Sequence, residues 1–284
     1  MLRKIYIKLL YINFNMERII YIISVFLFVA FIYIHVLFHL KVNNLLELNT
    51  IEITGKEDFE EQCNRRLPFI CNYNTKQWND TFNIEKIKND FKSFTFNVNN
   101  DNIKLHDLIN NDRFISMNNK YFLDETELFE QFIKTDNFLR PSCTFIKNYD
   151  LVIGKNFQTN FISFLNFRNF LYVSEGSIEL YLAPPKSSKY LNYFYNFYTF
   201  SNETKINPFD KNTQQTDMFD KIKPLKIQLK KGEMLFIPSS WYVSISFNEI
   251  SVVQLFHYRT CMNLVTLTPN YIRCFYEQIN IKNN

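Results

Sequence analysis

The stretch 19–40, "IIYIISVFLFVAFIYIHVLFHL", sets the strongest limit on the topology of this chain, because it contains no Asp, Glu, Lys or Arg. As an α-helix the stretch is about 33 Å long at ~1.5 Å per residue, which is enough to cross the hydrocarbon core of a bilayer. Such uninterrupted apolar runs are rare in the helices of globular domains. We therefore predict a transmembrane helix over 19–40.

Two alternatives to a transmembrane helix stay open for this stretch. A buried helix of a soluble domain could have the same composition, and a signal peptide would have an apolar core of about 7–15 residues that ends at small residues. This run is longer and ends in Phe38, His39, Leu40 and Lys41, so a retained anchor fits better. Within the span, His35 and His39 are interpreted as tolerated neutral residues.

Basic residues flank the stretch unequally. Four of them precede it: Arg3, Lys4, Lys8 and Arg18. Only Lys41 follows it closely, so the positive-inside rule places the tail 1–18 in the cytoplasm and the rest of the chain in a lumen or outside the cell. If Met16 were the true start, Arg18 alone would precede the span and this orientation would weaken.

The remainder is predicted to be a linker, 41–51, and one domain, 52–284. Glycosylation sequons at Asn79 and Asn202 agree with a luminal domain, although an Asn-rich chain also produces such triplets by chance. Five cysteines could form two disulfides with one thiol left over, and none has the paired spacing of a zinc site: Cys63, Cys71, Cys143, Cys261 and Cys274.

The net charge of +4 is spread along the chain without a dense basic run in its body. Proteins that bind nucleic acid concentrate Lys and Arg on one face, so nucleic acid is not predicted as a partner. The partners predicted are the membrane and a protein.

The part of the chain before Asp150 is predicted to be mainly helical. A short helix and a buried strand are predicted on either side of Pro68. A capping box over Asp124 to Glu127 predicts a further helix. Four apolar residues are spaced to lie on one face of that helix: Leu128, Phe129, Phe132 and Ile133.

From Asp150 onward, short runs of aromatic and β-branched residues are typical of strands: "LVIG", "FRNFLYV", "SIELYLA", "LKIQLK", "EMLFI", "YVSISF" and "ISVVQLF". They predict an antiparallel sandwich or barrel with a helical flank. Gly154, Gly176 and Gly232 lie at strand boundaries, so they are predicted to need a positive φ or a close backbone approach. The connection 186–223 carries the aromatic cluster "YLNYFYNFYTF", which either packs on the barrel or lines a ligand groove.

Five stretches follow one another along the chain: "RRLPFICNYNTKQW", which ends at Trp78, then "LVIG", "EGSIELYLAPP", "GEMLFIPSSWY" at 232–242, which includes Pro238 and Trp241, and "ISVVQLF". In this order they resemble the motifs of the JmjC and cupin-like family of Fe(II) and 2-oxoglutarate dioxygenases. The resemblance covers 52–284 and implies a double-stranded β-helix, or jelly roll: a mainly β domain with an α-helical flank, preceded here by one transmembrane helix.

The resemblance also implies where such a family would hold iron and its cosubstrate. The His-x-Asp pair and the distant His of its metal triad correspond to Ser163, Leu165 and Val243, which are poor or incapable donors to iron. The lysine that pairs with 2-oxoglutarate corresponds to Ile178, and the hydroxyl residue that assists it corresponds to Asn160. Asn169 matches an asparagine commonly found just after the first two ligands.

Fold alone does not establish activity. The replacements favour a catalytically inactive, membrane-anchored domain without a cofactor, which binds a partner through its outer face or through 186–223. An alternative is a protein hydroxylase that uses Fe(II) and 2-oxoglutarate with unconventional ligands, such as Ser163 or His257. His257 is predicted to follow the last strand by one position. Alternation from Gln254 and Phe256 predicts that its side chain turns away from the barrel interior. Carbohydrate or lipid binding by an aromatic-rich pocket is a third hypothesis without its own motif.

A transmembrane anchor should keep the chain in the membrane under alkaline extraction. The full chain should remain in the membrane pellet after alkaline carbonate treatment, because a spanning helix is released only by detergent. A chain that begins at residue 42 should appear in the supernatant. Release of the full chain by carbonate would contradict a retained transmembrane helix.

Overall fold

A computed structural model describes residues 2–53, 55–72, 84–98, 101–126, 128–196 and 199–282. Trp78 and the sequon residue Asn79 lie outside this described part. The chain forms two compact units, one of which is Val42–Cys261. The other combines Met1–Lys41 with Met262–Asn284.

The described helices include one long N-terminal helix and several short ones. Their bounds are α1 (Leu2–Leu40), α2 (Lys56–Asn64), α3 (Ile84–Asp90), α4 (Leu105–Asn110), α5 (Lys120–Glu125), α6 (Leu128–Leu139), α7 (Ser188–Leu191), α8 (Lys211–Gln214), α9 (Asp217–Ile222), α10 (Cys261–Thr266) and α11 (Thr268–Lys282). Within α1, Met16–Leu40 is long and apolar enough to cross a membrane. None of its most apolar window is buried, unlike a core helix of a soluble domain.

The strands of the described chain lie between Asn49 and Thr260. Their bounds are β1 (Asn49–Ile51), β2 (Phe69–Asn72), β3 (Thr95–Val98), β4 (Asp101–Lys104), β5 (Phe114–Ser116), β6 (Thr144–Lys155), β7 (Phe157–Gln158), β8 (Ile162–Phe164), β9 (Arg168–Glu175), β10 (Ser177–Ala183), β11 (Phe194–Asn196), β12 (Ser201–Glu203), β13 (Leu225–Lys230), β14 (Glu233–Pro238), β15 (Tyr242–Phe247) and β16 (Ser251–Thr260). Each of the seven runs predicted to be strands therefore coincides with an observed strand, and only Phe167 and Ile250 lie one residue before theirs begins.

Two main sheets form the domain. The first has the strand order β1-β2-β14-β9-β16-β6-β5, and the second has the order β11-β12-β8-β15-β10-β13, with β7 paired to β15. Apart from the parallel β1–β2 pair, the ladders of these sheets in the described chain are antiparallel. The predicted class, a mainly β domain with a helical flank, is confirmed.

Each face of the first sheet packs into a different core. One face meets the helical flank, where Phe59, Phe132, Phe170 and Phe256 belong to a set of buried residues that we call the flank cluster. The opposite face and the second sheet enclose a second set, the inner cluster, defined by its members below. A sheet that is buried on both faces needs apolar residues at odd and even positions alike.

The motif residues predicted to be structural lie at turns or at close contacts. Gly176 and Gly232 have φ values of +75° and +89°, which favour glycine. A Cβ on Gly154 would lie 2.5 Å from the ring of Phe247. Pro238 ends β14, and Trp241 follows it, fully buried in the inner cluster. The predicted positive φ is therefore confirmed at Gly176 and Gly232, whereas Gly154 lies inside β6 against a side-chain ring.

The predicted helix after Glu127 exists as α6, but the predicted capping box is wrong. Asp124 lies inside α5, and Glu127 is outside the described residues. Thr126, which follows α5, donates its hydroxyl to the Phe122 carbonyl one turn earlier at 2.8 Å. On α6, Leu128 and Phe132 are buried and Phe129 packs on the flank cluster, whereas Ile133 is 41% exposed.

The sulfur atoms of four cysteines are free in the structure. Cys63 and Cys71 are buried in the flank cluster, and burial raises the pKa of each thiol to about 12. Cys143 and Cys261 are exposed. The structure therefore shows these four residues in their reduced, thiol form.

The close contact at Gly154 predicts that alanine is less well tolerated there than at Gly55. Gly154→Ala should lower the free energy of unfolding by about 1–3 kcal/mol, because the new methyl group overlaps the Phe247 ring. Gly55→Ala is the matched control, since its Cβ meets open space and its φ of −173° is ordinary extended backbone. Urea unfolding of both variants checks this, and equal losses would contradict it.

Candidate functional site

Apolar side chains fill the space between the two main sheets. The inner cluster of buried residues comprises Ile70, Ile115, Val152, Leu171, Val173, Ile178, Leu180, Leu182, Ile227, Leu229, Leu235, Ile237, Trp241, Val243, Phe247, Val253 and Leu255. These residues recur at every second position of β9, β10, β13 and β16, because side chains alternate between the faces of a strand. The interior is therefore a packed hydrocarbon core along these strands.

Two of the predicted site positions lie in this core. Val243 pairs with Leu182 on one side and Ile162 on the other. Ile178 pairs with Leu229, and its side chain is 1% exposed. The structure thus brings Val243 and Ile178 into the same apolar interior, where neither offers a ligand atom.

Ser163 lies on the other side of its strand. Its neighbours Ile162 and Phe164 pack on the inner cluster, whereas Ser163 pairs with Tyr242, which belongs to a separate outer core. Residues that pair across antiparallel strands project to the same face, so Ser163 and Val243 face opposite ways. The buried Ser163 hydroxyl has no hydrogen-bond partner among the described residues.

The other two predicted positions flank β8. Leu165 is buried, and its backbone N–H donates to the Phe200 carbonyl at 3.4 Å. Asn160 is exposed before β8 begins. An exposed Asn160 does not share the interior with Ile178.

The prediction for His257 is wrong. This residue lies within β16, which continues to Thr260, and it pairs with Asn169. Its position alternates in step with Val253 and Leu255 of the inner cluster, and its ring lies 4.6 Å from that of Phe164. His257 therefore lies on the inward face of β16.

The prediction counted the alternation from Gln254 and Phe256, and both project to the flank side of β16. Phe256 is part of the flank cluster, and Gln254 donates to the Ser174 hydroxyl at 2.8 Å. Because both faces of β16 are buried, an apolar side chain does not indicate which face points into the space between the two main sheets.

The family is decided by a match over most of this fold. The family model for the cupin-like domain matches residues 57–263, which include β2 to β16. The chain belongs to the cupin-like family. Among curated proteins, no significant match is found.

A chain of hydrogen bonds lies at the end of the cupin-like domain where β9 begins. Arg259 Nε donates to Asn166 Oδ1 at 2.6 Å, and Asn166 Nδ2 donates to Asn169 Oδ1 at 3.2 Å. Asn169 Nδ2 donates to the Ile237 carbonyl at 3.2 Å, and His257 Nδ1 lies 2.7 Å from Asn169 Oδ1. We call Asn166, Asn169, His257 and Arg259 the amide–histidine cluster.

This hydrogen-bond pattern fixes the tautomer of His257. Asn169 Oδ1 is an acceptor, so the proton of the neutral ring lies on Nδ1 and the lone pair lies on Nε2. Burial, and secondarily the nearby Arg259 charge, lower the pKa of His257 to about 3. The cupin-like domain therefore holds a neutral imidazole at this end of its interior.

The donor set around that imidazole does not suit a metal. Its partner is an amide, and the Arg259 guanidinium brings positive charge to the same cluster. Within the described part of the chain, no group of three or more His, Cys, Asp or Glu side chains converges. An iron site needs several such donors, so one imidazole is insufficient.

A second polar group, on the flank side, was also missed from the sequence. The guanidinium of Arg168 pairs with Glu60 of α2, and Lys56 approaches the same carboxylate at 2.8 Å. Burial acts to raise the pKa of Glu60, but these two cations hold it below its usual value. Burial and the Arg168 charge lower the pKa of Arg66 to about 10. The pair of Arg168 with Glu60 joins β9 to α2.

Buried His257 should make the free energy of unfolding fall in acid. Its folded pKa is below its unfolded value, so the unfolded chain binds more protons and stability falls as pH drops from about 6.5 toward 3. Between about pH 7.5 and about pH 5, this term should lower the free energy of unfolding by about 2 kcal/mol. We expect His257→Gln to remove this loss in urea unfolding.

Two comparisons isolate the effect of His257. Exposed His106 provides the control, and His106→Gln should retain the wild-type pH dependence. Burial raises the pKa of Asp150 to about 6, so that group acts in the opposite direction in every variant. A parallel pH dependence of wild type and His257→Gln would contradict the assignment.

Proposed function

We propose that this protein is a membrane-anchored, catalytically inactive member of the cupin-like family that acts by binding a protein partner. In this proposal α1 spans the membrane with its N-terminus in the cytoplasm, and the cupin-like domain is luminal or extracellular. The observation that carries the proposal is the hydrocarbon packing at Ile178 and Val243, where a related dioxygenase would need polar ligands.

The residues present do not fit an iron centre of the JmjC type. Such a centre needs two imidazoles and a carboxylate that converge and leave positions open for oxygen and cosubstrate. Val243 and Leu165 have hydrocarbon side chains, and the Ser163 hydroxyl faces away from the interior. The neighbour of Val243 on β8 is Ile162, so the strand register offers no replacement ligand there.

The residues also do not fit 2-oxoglutarate. A buried dicarboxylate needs a cation, because an uncompensated charge in an apolar interior is strongly destabilising. Ile178 stands at the position implied for the lysine and packs against aliphatic neighbours. Arg259 is held by Asn166 and lies over the Phe200 ring at 4.0 Å. The proposal therefore includes no cofactor.

Loss of the site charges is compatible with a stable domain. Apolar burial contributes about 25 cal/mol per Å² of area removed from water, whereas isolated buried charges oppose folding. Replacing ligands by Val and Ile lets both sheets pack directly on each other. The cupin-like fold can then serve as a rigid support for surface segments.

The segment we propose for partner binding is the connection 186–223. Its strand β11 is an edge of the second sheet within the described chain; Tyr193, just before β11, and Phe194, its first residue, are 50% and 46% exposed. A sheet edge can accept a further strand from a peptide, while adjacent aromatic side chains add apolar contact. Phe200 of the connection is buried and holds it to the domain.

One observation favours the alternative, an active hydroxylase with unconventional ligands. His257 lies on the inward face of β16 and has an unprotonated Nε2. We therefore propose to load the full chain, in detergent, with Fe(II) under anaerobic conditions and then to measure bound iron and 2-oxoglutarate decarboxylation. We expect far less than one iron per chain and no decarboxylation above a protein-free blank.

The His257→Gln variant makes this experiment decisive. One iron per chain together with decarboxylation, both lost in His257→Gln, would contradict the inactive assignment and establish the alternative. Iron recovered equally with wild type and variant, without decarboxylation, would indicate adventitious surface binding and leave the inactive assignment standing.

Partner binding is tested at the sheet edge. We expect a protein cross-linked to the wild-type chain in its native membrane to be lost from the double variant Tyr193→Ser, Phe194→Ser. The matched control is Tyr121→Ser, Phe145→Ser, since both residues are 68% exposed but lie outside the connection. Both double variants should keep the wild-type Tm. Equal cross-linking by the two would contradict binding at β11.

A further inference from the structure

We propose that Cys143 and Cys261 form a disulfide that locks the beginning of β6 to the end of β16. This inference is separate from the proposed function, because it depends on neither iron nor a partner. It assigns one pairing among the five cysteines, for which the sequence left all pairings open.

The backbone already joins the two residues. Cys261 N–H donates to the Cys143 carbonyl at 3.1 Å, and the preceding pair in the ladder is Thr260 with Thr144. Paired residues of an antiparallel ladder have Cα atoms about 4.5–5.5 Å apart, and Cys143 and Cys261 are the chain neighbours of such a pair. Disulfides need a Cα separation of about 4.4–6.8 Å, so a bridge fits the spacing at this end of the ladder.

Exposure distinguishes this pair from the other described cysteines. Cys143 and Cys261 are both exposed, so a small disulfide reagent can reach either sulfur. Cys63 and Cys71 are almost completely buried in the flank cluster. Oxidation of the folded chain is therefore directed to Cys143 and Cys261.

The reaction requires an oxidant of the glutathione disulfide class. The thiolate of one cysteine attacks that disulfide, which forms a mixed disulfide and releases one glutathione thiolate. The second protein thiolate attacks the protein-bound sulfur, which forms the Cys143–Cys261 bond and releases the second glutathione. Two electrons pass to the oxidant, and the two protein thiol protons end on two glutathione thiols.

The bond would enclose most of the sheet architecture. The loop from Cys143 to Cys261 contains β6 to β16, including the ladder between β6 and β16. Closing so long a loop restricts the unfolded chain strongly, and the gain in stability rises with loop length. An oxidising lumen or cell exterior would supply the conditions for it.

The test uses the full chain in detergent, equilibrated in a series of glutathione buffers with a rising ratio of disulfide to thiol and then alkylated. Mass spectrometry should find a peptide that links Cys143 to Cys261, while Cys63 and Cys71 stay reduced in the folded protein. Cys143→Ser and Cys261→Ser should each abolish the link. Serine is chosen because Cys143 has a φ of +54°, where glycine would relax the backbone and alter stability by itself.

Thermal unfolding measures the locking effect. Oxidation should raise the Tm of the wild type by about 10 °C and leave both serine variants unchanged. Free Cys143 and Cys261 thiols in the most oxidising buffer, or a link from either residue to another cysteine, would overturn the pairing. A Cys143–Cys261 link without a rise in Tm would overturn the locking role.

Discussion

The alternation of side chains along β16 determines how both cores of the domain are built. Val252, Phe256 and Tyr258 project into the flank cluster, whereas Val253 and Leu255 project into the inner cluster. Hydrogen-bonded neighbours on both edges, β6 and β9, hold this register. A slip of one residue would exchange the two faces and move His257 out of the interior.

The same alternation separates two kinds of polar group. On the inward face, His257 completes the amide–histidine cluster, whose members satisfy one another by hydrogen bonds. On the flank face, Arg168 of the neighbouring strand reaches Glu60 on α2. Buried polar groups persist when they are paired in this way, so neither group needs a bound ligand to be stable.

Much of the fold could be predicted because the strands and glycines carry local signals. The run "LKIQLK" carries its apolar residues Leu225, Ile227 and Leu229 at every second position, and all three lie at the inner cluster. Gly176 and Gly232 were informative because their positive φ is a local requirement. The apolar length of α1 similarly depends on nothing outside the segment.

The candidate site was harder to predict because it depends on which face of a strand points inward. β8 has only three residues, Ile162–Phe164, which is too short to show an alternation of apolar and polar residues. The direction of the Ser163 side chain is set by pairing with β15. For His257, both faces of β16 are apolar, so pattern alone could not separate interior from flank. The contacts of Asn166 with Arg259 and Asn169 arise from tertiary packing and have no sequence motif.

The interior between the two sheets is, on this account, a packed apolar core rather than a ligand site. The Tm of the full chain with and without about 1 mM Mn(II) and 2-oxoglutarate tests this, because a ligand that binds only the folded state raises Tm. The account predicts no change in Tm. A rise of several degrees that disappears in His257→Gln would contradict it.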